Sequence, residues 1–224
     1  MLGQLVLTPR GRGKPEVVRI YGLPVLRAEV DNSGFWGERR LRWAGRALRR
    51  NGVLRVLTPE DLLPRLEALG LRRVDPEPFV RAQAAPLALA ALERRGLAPD
   101  RAAVALRGAR ADRAFLRTAE ELCPKVRSLI IDAPHGGQEL ARRLRLEYGV
   151  PILPEGERGQ AALVFQAGCS RRNETALELF GPRPRLAGLT LTVPRLKEDD
   201  REDLSLLAAL WEGGRLRPED IKIT

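Results

Sequence analysis

The second half of the chain alternates short apolar runs with longer amphipathic stretches, and this alternation constrains the fold more than any other feature of the sequence. Strands that alternate with helices are typical of a parallel sheet covered by helices on both faces. Periodicity predicts strands at 102–106, 126–131, 150–153 and 161–165, and helices at 112–122 and 138–148. We therefore expect strand 102–106 to lie parallel to strands 126–131 and 161–165, and between them.

The first third of the chain is predicted to be rich in β-strands, which apolar runs bounded by turn residues place at 5–7, 17–20, 25–30 and 53–57. A helix is expected at 37–50, because its apolar residues recur at helical spacing and Asn51 and Gly52 follow it. Thr58 is expected to cap a second helix that ends at Gly70. A third helix is predicted at 77–95.

The positive charge of the chain comes mostly from arginine. The formal net charge is +10, and 35 of the 39 basic residues are arginine. Such an excess of arginine over lysine, together with abundant Ala, Gly, Leu and Pro, is interpreted as the imprint of a GC-rich genome. Most arginines are therefore expected on the solvated surface, and only a clustered subset is a candidate site for an anionic partner.

Composition excludes several classes of protein. No apolar stretch approaches the roughly 20 residues of a membrane span, and residues 1–10 predict a strand rather than a signal peptide. Two cysteines and one histidine are too few for a disulfide framework, a four-ligand zinc site or a histidine-based metal site. We expect a cytoplasmic protein with no metal and no membrane partner.

Four segments of the second half follow one another in a known order. They are a strand that runs into a glycine turn, a strand that ends on an acid, a helix rich in Ala, Leu and Glu, and a further apolar strand, at 104–110, 128–132, 138–149 and 161–165. Together, over 102–168, they resemble the NAD(P)-binding Rossmann domain of shikimate dehydrogenase and glutamyl-tRNA reductase. The resemblance implies a Rossmann-like, mostly parallel α/β sheet. With residues 96–100 as the expected boundary, we expect a β-rich α/β N-terminal region at 1–97 and a Rossmann-like domain at 98–224.

The chain departs from that family where the cofactor would bind. A dinucleotide fingerprint has three glycines, which allow close approach of the backbone to the pyrophosphate and close packing of the helix. Here the three positions are Gly108, Arg110 and Arg113. The catalytic Lys–Asp pair of the family also has no match, since Lys14 is the only lysine of the N-terminal half. No catalytic residue is assigned from the sequence. The cofactor is not assigned either, and NAD is the possible one.

The ligand site of such a sheet lies outside the carboxyl ends of its strands, where three loops are expected to meet. These loops would contribute Gly108, Arg110, Asp132, His135, Gly136, Gly137 and Cys169. Asp132 follows Gly108 at about the spacing of a ribose-binding acid, with a strand-terminal turn residue as the alternative. His135 is either an acid–base group or an ordinary loop residue.

Two features of these loops have competing explanations. Gly136 and Gly137 either present amides to an anion or make a turn. Arg171 and Arg172 are expected to lower the pKa of Cys169, although no paired base is visible, and packing is the alternative. Cys123, at a helix end, is expected to serve packing.

A basic stripe lies on the helix predicted at 37–50. It consists of Arg39, Arg42, Arg46 and Arg49, with Trp43 nearby. Arginines that hold phosphates beside an indole that stacks on a base are typical of nucleic-acid-binding surfaces. A solvated helix face is the alternative.

Three functions follow from these observations. The leading hypothesis is a non-catalytic role in binding a ligand or partner, for which an anionic ligand is the expected class. The second is an NAD(P)-dependent oxidoreductase. The third is a nucleic-acid-binding protein that acts through helix 37–50.

Overall fold

The computed structural model describes residues 1–169 and 175–224, and their contacts divide the chain into two compact units. The first unit comprises Met1–Asp75 and Asp203–Pro218, and the second comprises Pro76–Glu202 and Glu219–Thr224. The segment near residue 97 connects two elements of the second unit. The domain boundary expected at that residue stays a prediction.

The first unit contains a five-stranded mixed sheet in the order β2-β3-β1-β4-β5. Its strands are β1 (Leu2–Leu7), β2 (Arg12–Ile20), β3 (Leu23–Val30), β4 (Arg55–Leu57) and β5 (Arg72–Arg73). Only β2 is antiparallel to its neighbour, β3. Tyr21 and Gly22 join these two strands with φ angles of 48° and 81°, which suits a two-residue hairpin turn.

Helix α1 (Gly37–Arg50) has the predicted bounds and packs on β2 and β3. Its apolar face, with Leu41 and Leu48 fully buried, joins Leu5 and Val30 in the core of the first unit. An apolar stripe on one side of a helix is stable only when another element covers it. The buried face of α1 is therefore occupied by its own sheet, and its arginines lie on the outside.

The helix predicted after Thr58 is wrong in form. The chain makes a 3₁₀ turn at Glu60–Leu62 and then α2 (Leu63–Glu67), and Thr58 makes no cap, since its buried Oγ1 has no hydrogen-bond partner. Pro64 explains the break, because a continuous helix would require a backbone N–H at that position.

Helix 77–95 is also divided, into α3 (Glu77–Ala82) and α4 (Ala84–Arg94). Pro86 lies in the first turn of α4, where a missing N–H is tolerated, and it could not continue α3. Helix α4 packs on strand 161–164 and on helix 113–122, which places it in the second unit.

The second unit contains a five-stranded, entirely parallel sheet in the order β10-β9-β6-β7-β8. Its strands are β6 (Ala103–Arg107), β7 (Ser128–Asp132), β8 (Ile152–Leu153), β9 (Ala161–Val164) and β10 (Thr175–Glu178). Counted from β6 this order is 3-2-1-4-5, which is the Rossmann order. The predicted parallel arrangement, with β6 between β7 and β9, is confirmed. The chain has a Rossmann-like α/β fold.

Helices α5 (Arg113–Leu122) and α6 (Gly137–Tyr148) connect β6 to β7 and β7 to β8. The connection from β8 to β9 has no helix, although these strands lie on opposite sides of the β6–β7 pair. Gly159 instead lies directly against the backbone of β6, where a Cβ atom would come within 2.9 Å of the Ala105 nitrogen. The connection from β8 to β9 can be this short because Gly159, which has no side chain, packs directly on the backbone of β6.

The C-terminal segment contributes to both units. Helix α7 (Leu204–Glu212) belongs to the first unit, where Arg73 donates to the hydroxyl of Ser205 and Arg55 pairs with Glu212 at 2.7 Å. Strands β11 (Leu191–Thr192) and β12 (Lys222–Ile223) form an antiparallel ribbon in the second unit. In residues 1–169 and 175–224, none of the helices combines the length and apolar character that crossing a membrane requires.

Candidate functional site

The carboxyl edge of the parallel sheet is the candidate site. The strand order reverses between β6 and β9, and ligands of open α/β sheets bind outside this switch point. Three loops, at 108–112, 132–137 and 165–169, leave the sheet at this edge. Arg171 and Arg172 lie outside the described residues.

The loops after β6 and β7 are joined through their backbones. Arg110 and His135 form an isolated parallel bridge, in which Ala111 N donates to the His135 carbonyl at 2.9 Å and His135 N donates to the Ala109 carbonyl at 3.3 Å. The side chains of Arg110 and His135 are both exposed. The structure thus brings together two of the predicted site residues on the surface of this edge.

Asp132 forms an ion pair with Arg107, a residue that the sequence analysis did not predict to be in the site. Arg107, the last residue of β6, is opposite Asp132 in register, and its Nη1 lies 2.6 Å from Asp132 Oδ2. The Arg107 side chain is fully buried and the Asp132 side chain is 22% exposed. Arg107 Nη2 also donates to the Glu157 carbonyl at 3.3 Å. The structure thus pairs Asp132 with a fully buried guanidinium of the neighbouring strand.

Cys169 lies close enough to this pair to be affected by its charges. Burial and then the Asp132 carboxylate raise the pKa of the Cys169 thiol, and Arg107 offsets part of the shift. This direction is opposite to the lowering expected from Arg171 and Arg172. A raised pKa favours the protonated thiol, which agrees with packing rather than nucleophilic chemistry.

Cys123 is buried at the end of α5, as predicted. Burial and the nearby Glu120 raise its pKa from 9.0 to about 11. Among the described residues, no group of three or more His, Cys, Asp or Glu side chains is placed to hold a metal ion.

Four backbone amides of the fingerprint loop have partners within the protein. Gly108 N donates to the Asp132 carbonyl at 2.9 Å, and Ala109 N donates to Gln166 Oε1 at 2.7 Å. Ala111 N is bound to His135, and Asp112 N donates to the Arg110 carbonyl at 3.0 Å. These amides would have to give up their bonds before they could hold a pyrophosphate.

The N-terminus of α5 is also occupied. Asp112 caps this helix, since its Oδ1 accepts from Phe115 N at 3.0 Å. Arg81 pairs with the other oxygen, Oδ2, at 3.2 Å and donates to the Phe165 carbonyl at 2.5 Å. A carboxylate therefore lies at the positive end of the helix dipole, where a phosphate would be stabilised.

Two of the three fingerprint positions carry long arginine side chains. Arg110 and Arg113 are both exposed, so their long side chains do not fill the loop. The first fingerprint residue, Gly108, has a Phe115 ring carbon at 3.4 Å from where its Cβ would lie, an ordinary contact.

Gly136 and Gly137 are explained by local geometry. Gly136 has a φ of 81° and begins α6 in the left-handed region, which favours glycine. Gly137 is buried, its N–H donates to the Ala133 carbonyl, and a Cβ there would lie 3.2 Å from the Ala133 side chain. A turn and close packing account for both residues.

The basic stripe of α1 is on the surface of the first unit. Arg39, Arg42, Trp43, Arg46 and Arg49 are all exposed. Arg42 pairs with Glu38 at 3.3 Å, whereas Arg39 lies over the ring of Trp36 at 5.3 Å from its centroid. Trp36 was missed at the level of sequence, because no helical periodicity marks it.

Comparison with known proteins gives no family. No protein-family model matches the chain, and no curated protein matches it. A similar solved structure is the L-tryptophan dehydrogenase from Nostoc punctiforme, with a TM-score of 0.33 and 10% sequence identity. The match covers 73% of this chain and 55% of that protein. The fold assignment rests on the strand order described above.

Proposed function

We propose that this is a binding protein with no redox catalysis, in which the Rossmann-like unit does not hold a dinucleotide in the usual manner. One observation supports this most strongly. The amides of Gly108, Ala109, Ala111 and Asp112 are bound inside the protein, although the equivalent loop of a dinucleotide-binding domain offers its backbone to the pyrophosphate.

The ribose position supports the same proposal. A ribose-binding acid must accept hydrogen bonds from sugar hydroxyls, whereas Asp132 compensates the buried charge of Arg107. Transfer of Asp132 to a ribose would break its 2.6 Å ion pair with the fully buried Arg107, which costs free energy. The carboxylate would also repel the 2′-phosphate of NADP.

An anionic ligand remains the class that this edge would attract. Arg110 and Arg113 are exposed and have no carboxylate partner within the part of the chain that the structure describes. They would hold an anion through guanidinium groups and not through backbone amides. Such a site would bind a small anion on the surface without placing a nicotinamide ring against a substrate.

Calorimetric titration of the protein with NAD and with NADP tests this proposal. We expect neither cofactor to bind tighter than about 10 μM, which corresponds to about −7 kcal/mol. Tighter binding that Asp132→Asn abolishes in a folded protein, and that Asp61→Asn leaves unchanged, would contradict the proposal. The oxidoreductase would then become the leading function.

A further inference from the structure

Aromatic side chains are concentrated on one exposed face of the first unit. The chain has only ten aromatic residues, yet three of them lie in the short segment 35–43 and are exposed. Phe35 is 90% exposed, Trp36 51% and Trp43 49%. Large aromatic rings that are left in solvent within a few residues of one another are typical of interaction sites.

Two of these rings line a cleft with three arginines. The cleft has a volume of about 340 Å³ and is lined by Arg12, Trp36, Arg39, Arg40 and Trp43. We call these residues, with Phe35, the aromatic–arginine surface. Phe35 contacts Trp36 edge-on at 5.3 Å between ring centroids.

Two side chains of the surface are held in place by their surroundings. Trp43 lies against Gly13, where a Cβ would come within 3.3 Å of the indole ring. Arg40 pairs with Asp31 at 3.1 Å, and hydrogen bonds from Ser33 lower the pKa of Asp31. Trp43 and Arg40 are therefore positioned before any partner binds, which reduces the entropy lost on binding.

The charges of the surface favour a polyanion. Within residues 1–169 and 175–224, Arg12, Arg39 and Arg46 have no carboxylate partner. Arg12 also lines a second cleft, of about 490 Å³, together with Arg10, Lys14 and Arg27, which outnumber the acids Glu16 and Glu29 there. The two clefts share Arg12, so positive charge continues from one to the other.

We propose that the aromatic–arginine surface binds single-stranded nucleic acid. Unpaired bases stack on indole rings, and the phosphates that follow them along the strand are neutralised by arginines. A duplex keeps its bases paired and stacked and cannot offer them to Trp36 and Trp43. A membrane surface fits less well, because the apolar face of α1 is buried in its own core. This inference concerns the first unit and does not depend on the proposed function of the second.

Fluorescence anisotropy with a labelled single-stranded oligothymidine tests the inference. We expect Trp36→Ala with Trp43→Ala to weaken binding at least tenfold, because each missing ring removes the platform for one base. The salt dependence of binding should stay the same. Arg12→Ala with Arg39→Ala should weaken binding and reduce the slope of log K against log salt, by about 0.7 for each phosphate that is no longer neutralised.

A control for the place of the substitutions comes from the second unit. Arg142 and Tyr148 are exposed on α6, and their double alanine substitution removes one positive charge and one ring. This variant should bind within twofold of the unchanged protein. Trp36→Phe with Trp43→Phe should restore most of the affinity, which separates stacking from any loss of folding.

Four results would overturn the inference. The first is no binding of the oligonucleotide at low salt, and the second is equal binding of a duplex of the same length. The third is unchanged affinity in a folded variant that lacks both indoles, since charge alone would then explain binding. The fourth is that the protein binds vesicles rich in anionic lipid but does not bind the oligonucleotide.

Discussion

Replacement of Asp132 by alanine is expected to lower the free energy of unfolding by about 3 kcal/mol. The substitution leaves the fully buried Arg107 guanidinium without the carboxylate that lies 2.6 Å away. This value is at the lower end of the range for removing one partner of a buried ion pair, because the Asp132 side chain is 22% exposed and water can reach the vacated position. Urea denaturation followed by circular dichroism measures the change.

The double variant Arg107→Met with Asp132→Leu separates the charge from the volume of the pair. Removal of both partners of a buried ion pair is often neutral, so this protein should be markedly more stable than Asp132→Ala. Ordinary surface substitutions change the free energy of unfolding by at most about 0.5 kcal/mol. If Asp132→Ala changes it by no more than that, Asp132 does not compensate a buried charge. Asp132 would then be free to bind a ligand.

Replacement of Gly159 by alanine is expected to cost about 2–3 kcal/mol, or more. The new Cβ would lie 2.8 Å from the Ala161 carbonyl oxygen and 2.9 Å from the Ala105 nitrogen. Both are backbone atoms in the middle of the parallel sheet and cannot rotate away as the end of a side chain can. The helix-free connection between β8 and β9 depends on this close approach.

Gly108→Ala is the matched control, measured by the same denaturation. Its Cβ would make ordinary contacts at 3.4 Å with the Phe115 ring, so we expect a small change in stability. Equal stability of the Gly159→Ala protein and the unchanged protein would show that the connection does not lie against β6. A large loss in Gly108→Ala would show a tighter fingerprint turn than the structure has.

The regular elements could be predicted because their patterns are local. The bounds of α1 follow from helical spacing, and the parallel arrangement of β6, β7 and β9 follows from alternation of strands with helices. The breaks at Pro64 and Pro86 could also have been predicted, since each proline lies inside an expected helix. The apolar periodicity continues on both sides of each proline, which favours one long helix over two short ones.

The state of the candidate site could be predicted only in part. Sequence pattern placed Asp132 at the correct edge of the sheet, but its partner Arg107 depends on the register of two strands that are distant in the chain. The bond from Ala109 to the Gln166 side chain joins residues 57 positions apart. The one feature of the sequence that could have indicated this ion pair is Arg107 itself, an arginine at the end of a buried strand.

The aromatic–arginine surface shows the same limit. The sequence places Trp43 beside the arginines of α1. Trp36, however, precedes the helix, and Arg12 lies on strand β2. Only the folded sheet brings the three residues to one cleft.

Closure of the fingerprint loop by its own hydrogen bonds is the property of the Rossmann-like unit on which its proposed function depends. Amide hydrogen exchange, followed by NMR at Gly108, Ala109 and Ala111 with and without excess NAD, measures this closure residue by residue. Slow exchange in the free protein that NAD leaves unchanged is the expected result, because these amides already donate within the fold. Rapid exchange in the free protein that becomes slow when NAD is added would contradict the closed loop.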